Sequence, residues 1–324
     1  MRAFTCPVCR HLVTFESTDC LHCGAKLAFD WNAREMATGP SCANRGLIGC
    51  NGLATGLCTA CALTRTRPND ADATGLAQLA VAEAAKRRLV FELLELGLPI
   101  DGGLTFEMLS SAYEPVTTGH ADGVITLDLA ETDPVRRETT RTELGEPYRT
   151  VLGHLRHEIG HYYQPILAPE GSAAIERTRA LMGDDRADYQ AALDKHYAQG
   201  PPPDWPDRYV SAYATMHPWE DWAETFSHYL HIRDVLQTAV AYGVTVSGPS
   251  VLATDAEPLY SYPAAVPDDL RAMLEAWLPL TYALNAINRS LGESDLYPFV
   301  LAPAVIDKLA LIDDLVGIVG RRSG

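Results

Sequence analysis

Apolar and polar positions follow different rhythms along this chain. Over residues 1–61 the apolar runs are short and broken by glycine, proline and paired cysteines, which predicts small turn-rich structure. At 74–97, "TGLAQLAVAEAAKRRLVFELLELG" is rich in Ala, Leu and Glu and predicts one long helix. Thr74 is positioned to cap it, and Gly97 with Pro99 to end it. "LTFEMLS" (104–110) and "GVITLDL" (123–129) read as strands separated by a turn-prone "TTGHADG" (117–123). Helical spacing returns in "EPYRTVLGHLRHEIGHYYQPIL" (146–167) and in one or two helices within 171–198. After the irregular "QGPPPDWPD" it resumes in "HPWEDWAETFSHYLHIRDVLQTAVAYG" (217–243), then at about 266–287 and 303–320. The expected fold is α+β and mostly helical. A small cysteine-rich domain at 1–66 precedes a main domain at 67–324, joined through a linker helix at about 74–97.

Placed on a helix at about 100° per residue, Val151, Leu152, Leu155, Ile159, Tyr162, Tyr163 and Ile166 share one stripe, and His157 and His161 fall opposite. Imidazoles one turn apart can reach one metal ion. Glu158, offset by one residue, can reach a water on that ion instead. Such a site needs a third ligand and an open position. The 217–243 helix can supply one: Trp219, Trp222, Ala223, Phe226, Tyr229 and Leu230 cluster on one side, and Glu220, Glu224, His228 and His231 on the other. The plainer alternative for each motif is a solvated polar helix face.

All eight cysteines lie between positions 6 and 61. Cys6, Cys9, Cys20 and Cys23 form two C-x-x-C pairs ten residues apart, the spacing of a zinc ribbon. Cys42 and Cys50 with Cys58 and Cys61 form a looser second set. Sequential pairing gives two structural zinc sites; cross-braced pairing is the alternative. The start of the chain has no signal-peptide pattern, so a disulfide framework is not expected and the cytoplasm is the expected compartment.

The net charge of −16 argues against nucleic acid as a general partner. Residues 1–68 carry seven Lys or Arg against four Asp or Glu, a net +3, which leaves −19 for the rest. No apolar run is long enough to span a membrane.

"RHEIGHYY", followed some sixty residues later by "VSAYATMHPWEDWAETF", resembles the gluzincin metallopeptidases. Together with "CANRGLIGCNGL", "LCTACALTRT", "GDDRADY" and "GPPPDW", these segments look like the bacterial zinc-binding metallopeptidases that carry an N-terminal zinc ribbon. The resemblance covers most of the chain. It implies a gluzincin-like domain in which His157, His161 and Glu220 hold a catalytic zinc, Glu158 acts as general base, and Glu224 orients a zinc-bound histidine. Tyr213, seven residues before Glu220, or alternatively His196, would support the oxyanion. The substrate would be a peptide or protein, which the "GVITLDL" strand could bind as a sheet edge. Exchanged roles for Glu220 and Glu224, or His228 as a ligand, are alternatives. His217 is expected to be structural and His154 to lie on a wall or the surface; His231 has no assignment. "GDDRADY" can bind a cation or, more plainly, start a capped helix. At Gly52 the resemblance implies a large aromatic residue in relatives, hence looser packing around the second cysteine set here. The competing function is a non-catalytic protein-binding module that uses the ribbons to recruit a partner.

Overall fold

In the computed structural model, residues 1–112, 114–143, 146, 148–247, 266–267 and 269–323 are described. Residues 147 and 268, within two of the expected helices, lie outside them. The chain divides into two compact units, Met1–Tyr162 and Tyr163–Arg322.

The first unit begins with β1 (Phe4–Thr5) paired to β2 (Leu12–Val13) and β3 (Ala28–Asp30) paired to β4 (Glu35–Ala37). Two short helices follow, α1 (Arg45–Ile48) and α2 (Thr59–Ala62), then β5 (Thr64–Thr66) and the long α3 (Ala73–Glu95). The N-cap of α3 is Asp72, two residues before the expected Thr74. Its carboxylate accepts from the Gly75 N–H at 2.8 Å, and aspartate is preferred over threonine as an N-cap. Gly97 ends the helix with φ 67°, a left-handed turn that suits glycine. Far from being a bare linker, α3 inserts Phe91 among Phe4, Phe15 and Phe29, at ring-centroid distances of 5.9, 5.2 and 5.8 Å. These rings are fully buried and form the core of the cysteine-rich segment.

β6 (Thr105–Leu109), β7 (Gly119–Ala121) and β8 (Val124–Asp128) complete a sheet of order β5-β6-β8-β7, with β7 antiparallel to β8 and the other pairs parallel. Two expectations are corrected here. The turn-prone "TTGHADG" contains the strand β7, and only Asp122 and Gly123, at φ 49° and 82°, make the tight turn. β8 is therefore interior, and β7 is the edge. The alternation in "GVITLDL" marked one buried face but carried no information about neighbours. Next comes α4 (Pro134–Glu143), a helix whose sequence "PVRRETTRTE" has no apolar stripe to announce it.

α5 (Val151–Leu167) carries the RHEIGHYY motif. The second unit holds its last turn and α6 (Ala173–Met182), α7 (Tyr189–Gln199), α8 (Pro218–Ala241), α9 (Leu270–Ser290) and α10 (Pro303–Ser323). Tyr163 stacks on Phe226 at 5.7 Å, which seats α8 beside that last turn. α10 is clipped to α8 by a buried ion pair, Lys308 Nζ to Asp221 Oδ2 at 2.6 Å. Among the described residues no helix is long and apolar enough to cross a membrane.

Candidate metal centres

The cysteines group sequentially. Within Cys6, Cys9, Cys20 and Cys23, and within Cys42, Cys50, Cys58 and Cys61, the sulfurs lie within 4.8 Å of one another. In the first set each C-x-x-C turn closes on a left-handed residue. The Arg10 N–H (φ 65°) donates to the Cys6 carbonyl at 2.9 Å, and the Gly24 N–H (φ 72°) to the Cys20 carbonyl at 2.8 Å. In the second set, N–H groups point at sulfur: Gly52 to Cys50 Sγ at 3.4 Å and Cys58 to Cys42 Sγ at 3.3 Å. Hydrogen bonds with Cys50 and Cys61 pull the Cys58 thiol below its ordinary range, while the same contacts push those two partners up.

The expected loose packing at Gly52 is overturned. A Cβ there would come within 2.5 Å of the Cys58 Cβ and 3.1 Å of Trp31 Nε1. Glycine at this position reflects a tight approach of backbone to the cysteine set.

On α5, His157 and His161 converge. Their Nε2 atoms are 3.2 Å apart and their rings lie at 84°, with 4.9 Å between centroids. His157, Glu158 and His161 are 8%, 5% and 4% exposed, so they are buried alongside Leu155 and Ile159 and do not form a solvated face. Two imidazole nitrogens that converge on one point, with a carboxylate beside them, fit a divalent metal such as zinc.

Glu158 is held in turn. Its Oε1 meets His154 Nε2 at 3.3 Å, and His154 Nδ1 meets Glu131 Oε2 at 2.7 Å. Glu131 also accepts from Thr118 Oγ1 at 2.6 Å and from Arg149 Nη2 at 3.2 Å. Burial alone would lower the pKa of His154, but its bonds to Glu131 and Glu158 outweigh burial and raise it to about 9. Glu131 is pushed down to about 2: burial opposes the shift, and His154, Thr118 and Arg149 impose it. His154, partly exposed, is thus also an ion bridge. Neither partner was read from the sequence, although Glu158 lies at the i, i+4 spacing. His120 on β7 was also missed. Its ring lies 6.4 Å from that of His161, and burial, reinforced by His161, lowers its pKa.

In the second unit, Glu220 sits in the first turn of α8 and is 2% exposed. Tyr189 Oη donates to its Oε1 at 3.0 Å. Tyr213 lies in a single 3-10 turn, Tyr213–Thr215, with the His196 ring 6.1 Å away. Burial, the Glu220 charge and Tyr189 all raise the pKa of its hydroxyl, keeping it a proton donor. Glu224 Oε2 accepts from Ser211 Oγ at 2.6 Å. His228 Nδ1 meets the Tyr297 hydroxyl at 2.7 Å, and its ring packs 4.4 Å from Phe299, so it belongs to an aromatic cluster that includes Trp277. The His231 ring faces that cluster, 5.2 Å from Tyr297. His217 caps α8, as its structural assignment required. In "GDDRADY" the acids serve structure: Asp188 caps α7, Asp184 pairs with Arg186, and Asp185 pairs with Arg179.

Comparison with known proteins gives these centres a context. Residues 3–44 match a zinc-ribbon domain, and residues 75–315 match the family described as "Putative zinc-binding metallo-peptidase". An uncharacterized protein of Mycobacterium bovis is 49% identical over 98% of this chain and 95% of its own length, and uncharacterized proteins from two Mycobacterium tuberculosis strains match equally. No solved structure matches. With three-quarters of its length under one family model, the chain belongs to the zinc-binding metallo-peptidase family and carries an N-terminal zinc-ribbon domain.

Proposed function

We propose that the protein is a gluzincin-like zinc peptidase in which His157, His161 and Glu220 hold one zinc ion and the eight cysteines hold two more. The observation that carries this reading is the buried convergence of the His157 and His161 Nε2 atoms at 3.2 Å, with the Glu158 carboxylate one residue away. Glu220 is the ligand of choice on α8 because it is buried in the helix's first turn and its carboxylate is already oriented by Tyr189. Glu224 is assigned to the supporting shell.

Zinc held there would supply Lewis acidity toward a peptide carbonyl and would acidify a neighbouring water. Glu158 accepts the water's proton and delivers it to the departing amine. His154 holds Glu158 in place throughout. The Tyr213 hydroxyl, which burial keeps protonated, donates to the oxyanion. An extended peptide or protein segment is the substrate class, and the β7 edge offers backbone groups to pair with it. The ribbons contribute folding energy and a surface for a protein partner.

Elemental analysis tests the metal content: about three zincs per chain, falling to about two in a His157→Ala, His161→Ala double variant. Peptide-library cleavage that Glu158→Gln abolishes tests the chemistry. Two zincs in both proteins, even after zinc is added, would refute the reading.

A further inference from the structure

The segment "GDDRADY" (183–189) packs against the start of α8, where Glu220 lies. It enters on Gly183, at φ 105°, where a Cβ would press to 3.0 Å from Pro218 at the first position of α8. Asp185 ties it to two helices: its Oδ1 accepts from Arg179 Nε of α6 at 2.7 Å, and its Oδ2 from Gln164 Nε2 of α5 at 3.2 Å. Asp188 then starts α7 by accepting from the Ala191 N–H at 3.0 Å.

His217 closes the arrangement. Its Nδ1 accepts from the Trp219 N–H at 3.1 Å and its Nε2 donates to the Ala187 carbonyl at 3.1 Å, so one imidazole fastens the segment to the start of α8. Ala187 lies two residues before Tyr189 and His217 three before Glu220. The Tyr189 ring packs between His217 (5.3 Å) and Trp219 (5.8 Å), and its hydroxyl reaches Glu220 Oε1 at 3.0 Å.

Resting on the zinc-site reading above, we infer that Tyr189 is a positioning residue for Glu220, clamped by His217. Its hydroxyl fixes the rotamer of the buried carboxylate that would face the metal. Partners of this kind, one bond behind the ligand, commonly set metal affinity by about 10–100-fold.

Tyr189→Phe tests this without any assay of turnover. Phenylalanine keeps the ring packing and removes only the donor. Zinc affinity is measured on the full chain by competition with a chromophoric chelator, in wild type, Tyr189→Phe and His217→Gln. The expected result is a roughly 10–100-fold weaker third site in Tyr189→Phe, with the two cysteine sites and the circular dichroism spectrum unchanged. His217→Gln is expected to lose part of the same affinity. Three zincs in wild type with Tyr189→Phe within two-fold of it would overturn the positioning role alone. Two zincs in wild type would overturn the zinc-site reading and this inference with it.

Discussion

His154 bridges Glu158 and Glu131, with its two ring nitrogens 3.3 and 2.7 Å from their carboxylates. A general base must be held within reach of the proton it takes. His154→Ala releases Glu158 on one side and is expected to lower kcat about 10–100-fold, by analogy with other supporting residues, with little change in KM. His154→Gln, which can still donate one hydrogen bond, should recover part of the loss. Steady-state kinetics on a library-derived peptide, with zinc content measured in parallel, would check this.

The same bridge has a pH signature in folding. The carboxylates raise His154 to about 9 from the ordinary histidine value of about 6.5, so its contribution is fully present below about 6.5 and lost as pH rises through about 9. Glu131 titrates at about 2 against 4.5, so its contribution is present above about 4.5 and lost as pH falls toward about 2. Thermal unfolding should show a plateau between about 4.5 and 6.5 from this pair, declining on the alkaline side. Glu131→Gln should flatten the alkaline decline; an unchanged slope would count against the bridge.

Much of the site was legible because its parts are local. The His157–Glu158–His161 spacing and the Glu220–Glu224 offset are one-helix patterns, and a helix converts spacing directly into direction. The cysteine sets were legible for the same reason, since each C-x-x-C is a single turn. What escaped came from distant segments: Glu131 beneath His154, His120 from β7, and Tyr189 against Glu220. No sequence interval encodes those approaches; tertiary packing sets them. The position of β8 inside its sheet escaped likewise, because alternation reports the burial of a face and not the identity of a neighbour.

Gly52 offers a test of the second cysteine set. A Cβ would collide with Cys58, so Gly52→Ala is expected to displace a ligand and reduce zinc content by about one per chain. Gly46→Ala, where a Cβ meets nothing within 4 Å, is the control and should retain full zinc content.

Lys308 and Asp221 are almost fully buried, 5% and 0% exposed, and Lys308 also donates to the Arg208 carbonyl at 2.7 Å. Removing one partner of such a pair strands the other charge away from water. Lys308→Ala is expected to cost about 3–5 kcal/mol in chemical denaturation. Lys308→Met with Asp221→Asn should cost less, because neither charge is then left alone.

Phe91 and Glu92 are neighbours on α3. Phe91 belongs to the aromatic core of the cysteine-rich segment, while Glu92 Oε2 accepts from Arg156 Nε at 3.1 Å, one residue before His157. The N-terminal segment is therefore not a detachable tag. A truncation that begins after the last cysteine would strip the aromatic cover from Phe91 at the point where α3 braces the motif helix. Such a fragment should be poorly soluble, and its inactivity would say nothing about the chemistry of the histidines. The cysteine-rich segment and the motif helix thus share one brace, α3.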